Sequence, residues 1–260
     1  MNILENKMVK LLVDLKKNHG VVELKAEFET EATRMNELMR LKEVVEQAGL
    51  GLVIKIGGSE AISNMFDAQH IGVSGLVAPM IESAYSMTKY LEAIDKYFPE
   101  DLRENIHFGV NIETYQAYRN LKDILNVKLI NLIDTITLGR VDMTGSIGLG
   151  RDEINSDKIY EIAESIFTLA KKKGFRTTMG GGIAKEAIPF IKKLVAKKLL
   201  DRFETRKIVF NVPKTFRGVD KGIVKANMFE LLWLENKKNY YSSIFHEDDL
   251  RIKMLKERIG

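Results

Sequence analysis

Short apolar runs alternate along the chain with longer stretches in which apolar residues recur every three or four positions. Val21–Phe28 is such a run and predicts a first strand. Residues 31–48 then place Met35, Leu38, Val45 and Ala48 at helical spacing, and Gly49 supplies the stop. Gly51–Ile56 predicts a second strand, followed by a helix through Ile62, Met65 and Phe66. Val73–Pro79 predicts a third, and the next helix carries Met87, Tyr90, Leu91 and Ile94 between a Ser83 cap and Pro99. Ser59 and Thr30 also read as helix caps. His107–Ile112 is a fourth strand, followed by a helix through Ala117, Leu121 and Leu125, and Thr135–Leu138 is a fifth strand. A longer helix carries Ile159, Ile162, Ala163, Ile166 and Ala170 and ends at Gly174. Phe175–Met179, a short helix at Ile188–Leu194 and a seventh strand at Arg202–Phe210 come next. A helix runs from about Lys221 to Trp233, and the charged tail at 246–260, with Leu250, Ile252, Leu255 and Ile259, predicts a terminal helix.

Strand–helix alternation of this kind builds repeated βα units around a parallel sheet. Seven or eight such units in 260 residues fit an α/β (β/α)8 TIM barrel. An open doubly wound sheet would carry Gly-x-Gly-x-x-Gly after its first strand, where this chain has Phe28-Glu29-Thr30-Glu31. No linker rich in Pro, Gly or Ser divides the chain. The expectation is one barrel domain over residues 1–260, with 240–260 as a C-terminal helical extension.

Composition changes this picture little. The chain is 45% hydrophobic and 29% charged, enough to build a core and incompatible with disorder. No apolar run reaches the roughly 18 residues of a membrane span. The first residues lack a signal-peptide pattern, and cysteine is absent, which removes disulfides, thiolate metal sites and a cysteine nucleophile. These features point to the cytoplasm. The net charge of +4 is spread among mixed signs, so neither a nucleic-acid nor a membrane partner is expected.

In a barrel the functional residues lie at the C-terminal ends of the strands. Those ends offer Lys25, Glu27 and Glu29; Lys55; Pro79 and Glu82; Asn111 and Glu113; Arg140 and Asp142; Thr178 with Gly180-Gly181-Gly182; and Glu204 with Arg206. Glu113 and Asp142 each follow an apolar run, so each must be paired, hydrogen-bonded or holding a cation. A buried ionic network with Lys55 or Arg140 would serve, and so would a divalent metal. Hard oxygen donors with few histidines suit Mg²⁺ or Mn²⁺ better than zinc. The glycine run fits a phosphate cradle or a tight left-handed turn equally well.

Three stretches make the chain similar to the HpcH/HpaI aldolase and citrate lyase β-subunit family. They are Gly75-Leu-Val-Ala-Pro-Met-Ile-Glu82, Asn111-Ile-Glu-Thr114 and Leu138-Gly-Arg-Val-Asp-Met-Thr-Gly-Ser-Ile-Gly148. The resemblance implies a carbon–carbon lyase acting on pyruvate or a similar oxo acid, with Glu113 and Asp142 holding Mg²⁺ or Mn²⁺. It implies a catalytic set of Lys55, Arg140 and Glu29, and substrate contacts from Lys55, Arg140, Gly139, Glu27 and Thr178. It also implies a homo-oligomer, a trimer or hexamer. The chain departs from the family in three places. Lys55 stands where the family has an arginine for the substrate carboxylate, and Arg140 where it typically has proline. Glu27-Phe-Glu-Thr30 lacks the histidine of the aldolase branch. A Schiff-base aldolase using Lys55 or Lys25, or a barrel that binds a metabolite without turnover, are the alternatives.

Overall fold

The structure is a computed structural model and describes residues 1–212 and 217–259. Residue 260 of the expected tail lies outside the described residues. Eight strands close a barrel in sequence order: β1 (Val21–Glu27), β2 (Gly51–Lys55), β3 (Gly75–Ala78), β4 (His107–Ile112), β5 (Thr135–Gly139), β6 (Arg176–Gly180), β7 (Arg202–Glu204) and β8 (Ile208–Asn211). Around it lie α1 (Ile3–His19), α2 (Met35–Gln47), α3 (Ile62–Ile71), α4 (Ala84–Tyr97), α5 (Glu100–Arg103), α6 (Tyr115–Arg119), α7 (Leu121–Ile124), α8 (Arg140–Ser146), α9 (Asp157–Lys172), α10 (Ile188–Ala196) and α11 (Val219–Ile259). This is the expected barrel with a long C-terminal helix.

The last strand differs from the expectation. Residues 202–210 do not form one strand. They fold as a hairpin, and β8 runs antiparallel to both β7 and β1. Only three residues separate β7 from β8, too few for the crossover that a parallel neighbour needs. The turn is closed by Thr205, whose N–H donates to the Ile208 carbonyl at 2.9 Å and whose Oγ1 accepts from the Ile208 N–H at 3.1 Å.

Two helices also differ. The N-terminal residues form α1, capped by Asn2, which accepts from the Glu5 N–H at 3.0 Å while Glu5 accepts from the Asn2 N–H at 2.8 Å. Met8, Leu12 and Leu15 bury its inner face. The two C-terminal helices are one, α11, because nothing between Leu234 and Phe245 breaks it: the segment holds no Gly or Pro. At 1.5 Å per residue its 41 residues span about 60 Å. Its first half packs beside α1, where Lys225 pairs with Asp14 and meets His19 Nε2 at 3.0 Å. Burial ends at Trp233, and beyond it Tyr240, Phe245, Leu250, Ile252 and Ile259 stand exposed. Ala61 and Arg34, not Ser59 and Thr30, occupy the caps of α3 and α2.

Strand alternation sorts the barrel interior. On β1, Leu24 and Ala26 join the apolar core under the helices, which leaves Glu23, Lys25 and Glu27 on the opposite face. Glu23 at the N-terminal end meets His107 Nε2 at 2.7 Å and Arg202 Nη1 at 2.6 Å, so His107 is structural, as its position at the start of β4 suggests.

Candidate active site

The C-terminal end of the barrel carries a row of alternating charges. Glu204 of β7 pairs with Lys25 of β1; Lys25 lies 3.3 Å from Glu27, and Glu27 lies 3.0 Å from Lys55 of β2. The register that puts Glu27 opposite Lys55 makes the last pair. Burial opposes ionisation of Glu27, but the charges of Lys25 and Lys55 outweigh it and bring its carboxyl down to about 2. Burial likewise opposes the charge on Lys25. Glu204 and Glu27 outweigh it and hold the ammonium well above the ordinary lysine value.

Glu113 follows β4 and is 2% exposed. Its Oε1 accepts from the Met80 N–H and its Oε2 from the Asn111 amide, both at 3.0 Å. Met80 makes the first of these from a left-handed backbone, φ 51°. A non-glycine residue in that region stores strain, a condition that clusters at functional sites. Burial raises the Glu113 carboxyl and the charge of Asp142 adds to the rise, while Lys55 and the Met80 N–H act against it. Asp142 is not at a strand end; it lies in the first turn of α8, directly after β5, and is exposed. Among the described contacts its carboxylate has no hydrogen bond or ion pair. The Tyr115 N–H donates to Ser146 Oγ at 2.9 Å and so ties the segment after Glu113 to the end of α8.

Gly139 is required by close approach. A Cβ there would stand 2.4 Å from Glu113 Oε2 and 2.9 Å from its Cβ. We expect Gly139→Ala to displace the Glu113 carboxylate and to lower activity by at least about tenfold, as for a misplaced group in an active site, while the protein remains folded. Unaltered turnover in a folded variant would refute the placement.

The other candidate positions separate. Thr178 is buried on β6, on the sheet face of its register partners Thr137 and Arg202. Glu29 is exposed beyond β1, with its carboxylate over Gly57, where a Cβ would meet Oε1 at 2.7 Å. Glu82 accepts from Thr114 Oγ1 at 2.7 Å and braces the segment after Glu113. Arg140 needs correction. Its side chain is fully buried, and its Nη atoms donate to Asn155 Oδ1 and Gly181 O at 2.7 Å and to Gly182 O and Ile154 O at 3.3 Å. Nε reaches Gly180 O at 3.4 Å, and Phe190 covers the guanidinium at 4.9 Å. Burial brings its pKa down to about 10, with no carboxylate pairing it among the described residues. With all of these donors engaged, Arg140 is unavailable to a substrate carboxylate, and Lys55 is the cation that acts on Glu113. Gly181 and Gly182 have φ 79° and 62°, which makes the glycine run a left-handed turn whose carbonyls face Arg140.

Sequence reasoning missed Glu31. It accepts the Glu27 N–H at 3.2 Å and pairs with Arg206 at 3.1 Å and with Lys207, pinning the loop after β1 to the β7–β8 turn. No local pattern reports that pairing, because its partners lie 175 and 176 residues away.

The fold is a closed eight-stranded barrel with charged side chains gathered at the C-terminal ends of its strands. The chain belongs to the HpcH/HpaI aldolase/citrate lyase family, which matches residues 10–181. Solved structures with the same fold include an HpcH/HpaI aldolase from Desulfitobacterium hafniense DCB-2, with TM-score 0.61 and 16% identity over 78% of this chain and 82% of that one. The citrate synthase SbnG aligns with TM-score 0.62 and 16% identity over 85% and 89%. A family protein from Burkholderia cenocepacia J2315 aligns with TM-score 0.57 and 12% identity over 91% and 99%. Among curated proteins compared by sequence, none matches. Among the described residues no helix is long and apolar enough to cross a membrane.

Proposed function

We propose a divalent-metal-dependent carbon–carbon lyase that cleaves or forms a bond next to the carbonyl of a pyruvate-like oxo acid. One observation carries this reading. Glu113 is buried, and the charge of Asp142 raises its pKa further, while the Asp142 carboxylate makes no hydrogen bond or ion pair among the described residues. Two carboxylates in that relation fit a hard divalent cation, Mg²⁺ or Mn²⁺. No group of three or more His, Cys, Asp or Glu gathers among the described residues, so solvent and substrate oxygens would complete the coordination. When bound, the metal supplies fixed positive charge where negative charge develops on the substrate.

The chain's own residues do the rest. Lys55, held by Glu27, presents an ammonium to the substrate carboxylate. Glu27 holds that ammonium in place at 3.0 Å, and Gly139 leaves room for Glu113. To Glu29, exposed beyond β1, we assign the exchange of protons with bound substrate. The Schiff-base alternative fares worse, since Lys25 stays protonated between two carboxylates and Lys55 is ion-paired.

The test uses a panel of 4-hydroxy-2-oxo acids. Pyruvate release should be abolished by EDTA and restored by Mn²⁺ or Mg²⁺, and borohydride should trap no adduct. Activity that survives chelation with a borohydride-trapped lysine would overturn the reading. Lys55→Met should weaken oxalate inhibition by roughly tenfold to a hundredfold, as expected for a charge-assisted hydrogen bond of about 1.5–3 kcal/mol. Unaltered oxalate affinity would remove Lys55 from the substrate site.

We also propose a cytoplasmic homo-oligomer, a trimer or hexamer, assembled through the exposed apolar residues of α11 beyond Trp233. Light scattering should give a multiple of 29.6 kDa at micromolar concentration. Truncation at Asn239 should reduce it to the monomer, and a truncated chain that still assembles would reject the distal helix as the cause.

A further inference from the structure

We propose that Arg140 is a positioning residue for Asp142, and that it sets the cation affinity of the site from behind the turn carrying that carboxylate. The inference rests on the metal reading above. Among the described residues the Asp142 carboxylate makes no hydrogen bond or ion pair that would fix it, so its place is set by the backbone of the α8 first turn. Arg140 opens that turn two residues earlier, and its guanidinium is the anchor.

The anchor reaches three separate segments. It holds the carbonyls of Gly180, Gly181 and Gly182 at the end of β6 and just beyond it, and the Ile154 carbonyl and Asn155 Oδ1 in the turn before α9. Phe190 of α10 closes over it. The Arg140 carbonyl in turn accepts from Thr144 Oγ1 at 2.6 Å, which braces the same turn from its other end. Gly181 completes the clamp. Its backbone lies so close that a Cβ would stand 2.7 Å from the Val141 nitrogen and 2.8 Å from that of Arg140. The contact holds at φ 79°, where a side chain would also be strained.

A buried guanidinium with only neutral acceptors is costly to fold. Hydrophobic packing of the same volume would fill the space, but it could not fix α8 to two loops with directed hydrogen bonds. Lysine is not equivalent here, because the planar fork reaches several carbonyls at once. Groups behind a metal ligand commonly change metal affinity by about 10–100-fold.

Calorimetric titration with Mn²⁺, well below the melting temperature, tests this. Wild type should bind. Arg140→Met should bind about 10–100-fold more weakly, with Arg140→Lys between them. Asn155→Ala, which keeps the cation and removes one 2.7 Å anchor, should weaken binding several-fold; it decides the matter if Arg140→Met does not fold. Variants with lower melting temperatures and wild-type Mn²⁺ affinity would make Arg140 a stability residue only and overturn the inference alone. A wild type that binds no Mn²⁺ would bring down the metal reading and this inference together.

Discussion

Glu113→Gln and Asp142→Asn are each expected to lower kcat/KM for oxo-acid cleavage by about 10³-fold, the scale of losing a metal that supplies several kcal/mol. Gln preserves the shape of Glu113, and its carbonyl oxygen can still accept one of the two hydrogen bonds from Met80 and Asn111. What it removes is the charge. The burial that raises the Glu113 carboxyl acts only on the charged form, so Glu113→Gln should be no less stable than wild type without metal. The two effects therefore separate: thermal stability in EDTA is held or raised while Mn²⁺ binding and turnover collapse. Metal analysis and steady-state kinetics on both variants check this. Unchanged metal content in both would sink the assignment of these carboxylates as ligands.

Lys25→Met is the change expected to cost most in stability. It leaves Glu204 and Glu27 buried against each other's charge with one cation, Lys55, for Glu27 alone. Breaking a buried pair from one side typically costs about 3–5 kcal/mol. The sign of the pH dependence follows from Glu27. Its carboxyl lies near 2 in the folded protein against 4.5 unfolded. The resulting stabilisation is present above about pH 4.5 and is lost as pH falls towards 2. Without Lys25 the folded value rises, so part of that stabilisation is absent at the pH values where Glu27 is ionised. The gap between wild type and variant should be widest near pH 7 and should narrow below pH 4.5. Urea denaturation at pH 7 and pH 4 measures it. The double variant Lys25→Met/Glu204→Gln should recover part of the loss, because it removes the unpaired carboxylate as well. A gap of under about 1 kcal/mol at pH 7, within the range of a surface pair, would mean that the row of charges is solvated rather than structural.

The periodicity of the chain was enough to read βα units, their order and a closed barrel. Burial under the helices keeps at least the outer face of each strand apolar, and with the helical spacing between strands that marks the βα repeat. The sequence singled out positions 113 and 142 for the same reason, as carboxylates beyond apolar runs; the structure buries Glu113 but leaves Asp142 exposed in the first turn of α8. The reversed β8 was not legible, since Arg202–Phe210 holds no Gly or Pro to mark the turn between Phe203 and Ile208, and the reversal shows only in the antiparallel pairing with β7 and β1. α11 read as two helices because its middle is polar, and polar residues with no helix breaker continue a helix without announcing it. Arg140 is the clearest division between the two sources. Sequence places a cation beside Gly139 and Asp142, where a substrate carboxylate is a natural partner. The direction of its side chain depends on carbonyls 14 to 42 residues away, brought together by the β5–β6 register that sets Gly139 beside Gly180. Residue type and local pattern thus determine which groups stand at the mouth of this barrel. Which of them face one another, and which are already satisfied, is set by contacts distant in sequence, and those form only when the barrel closes.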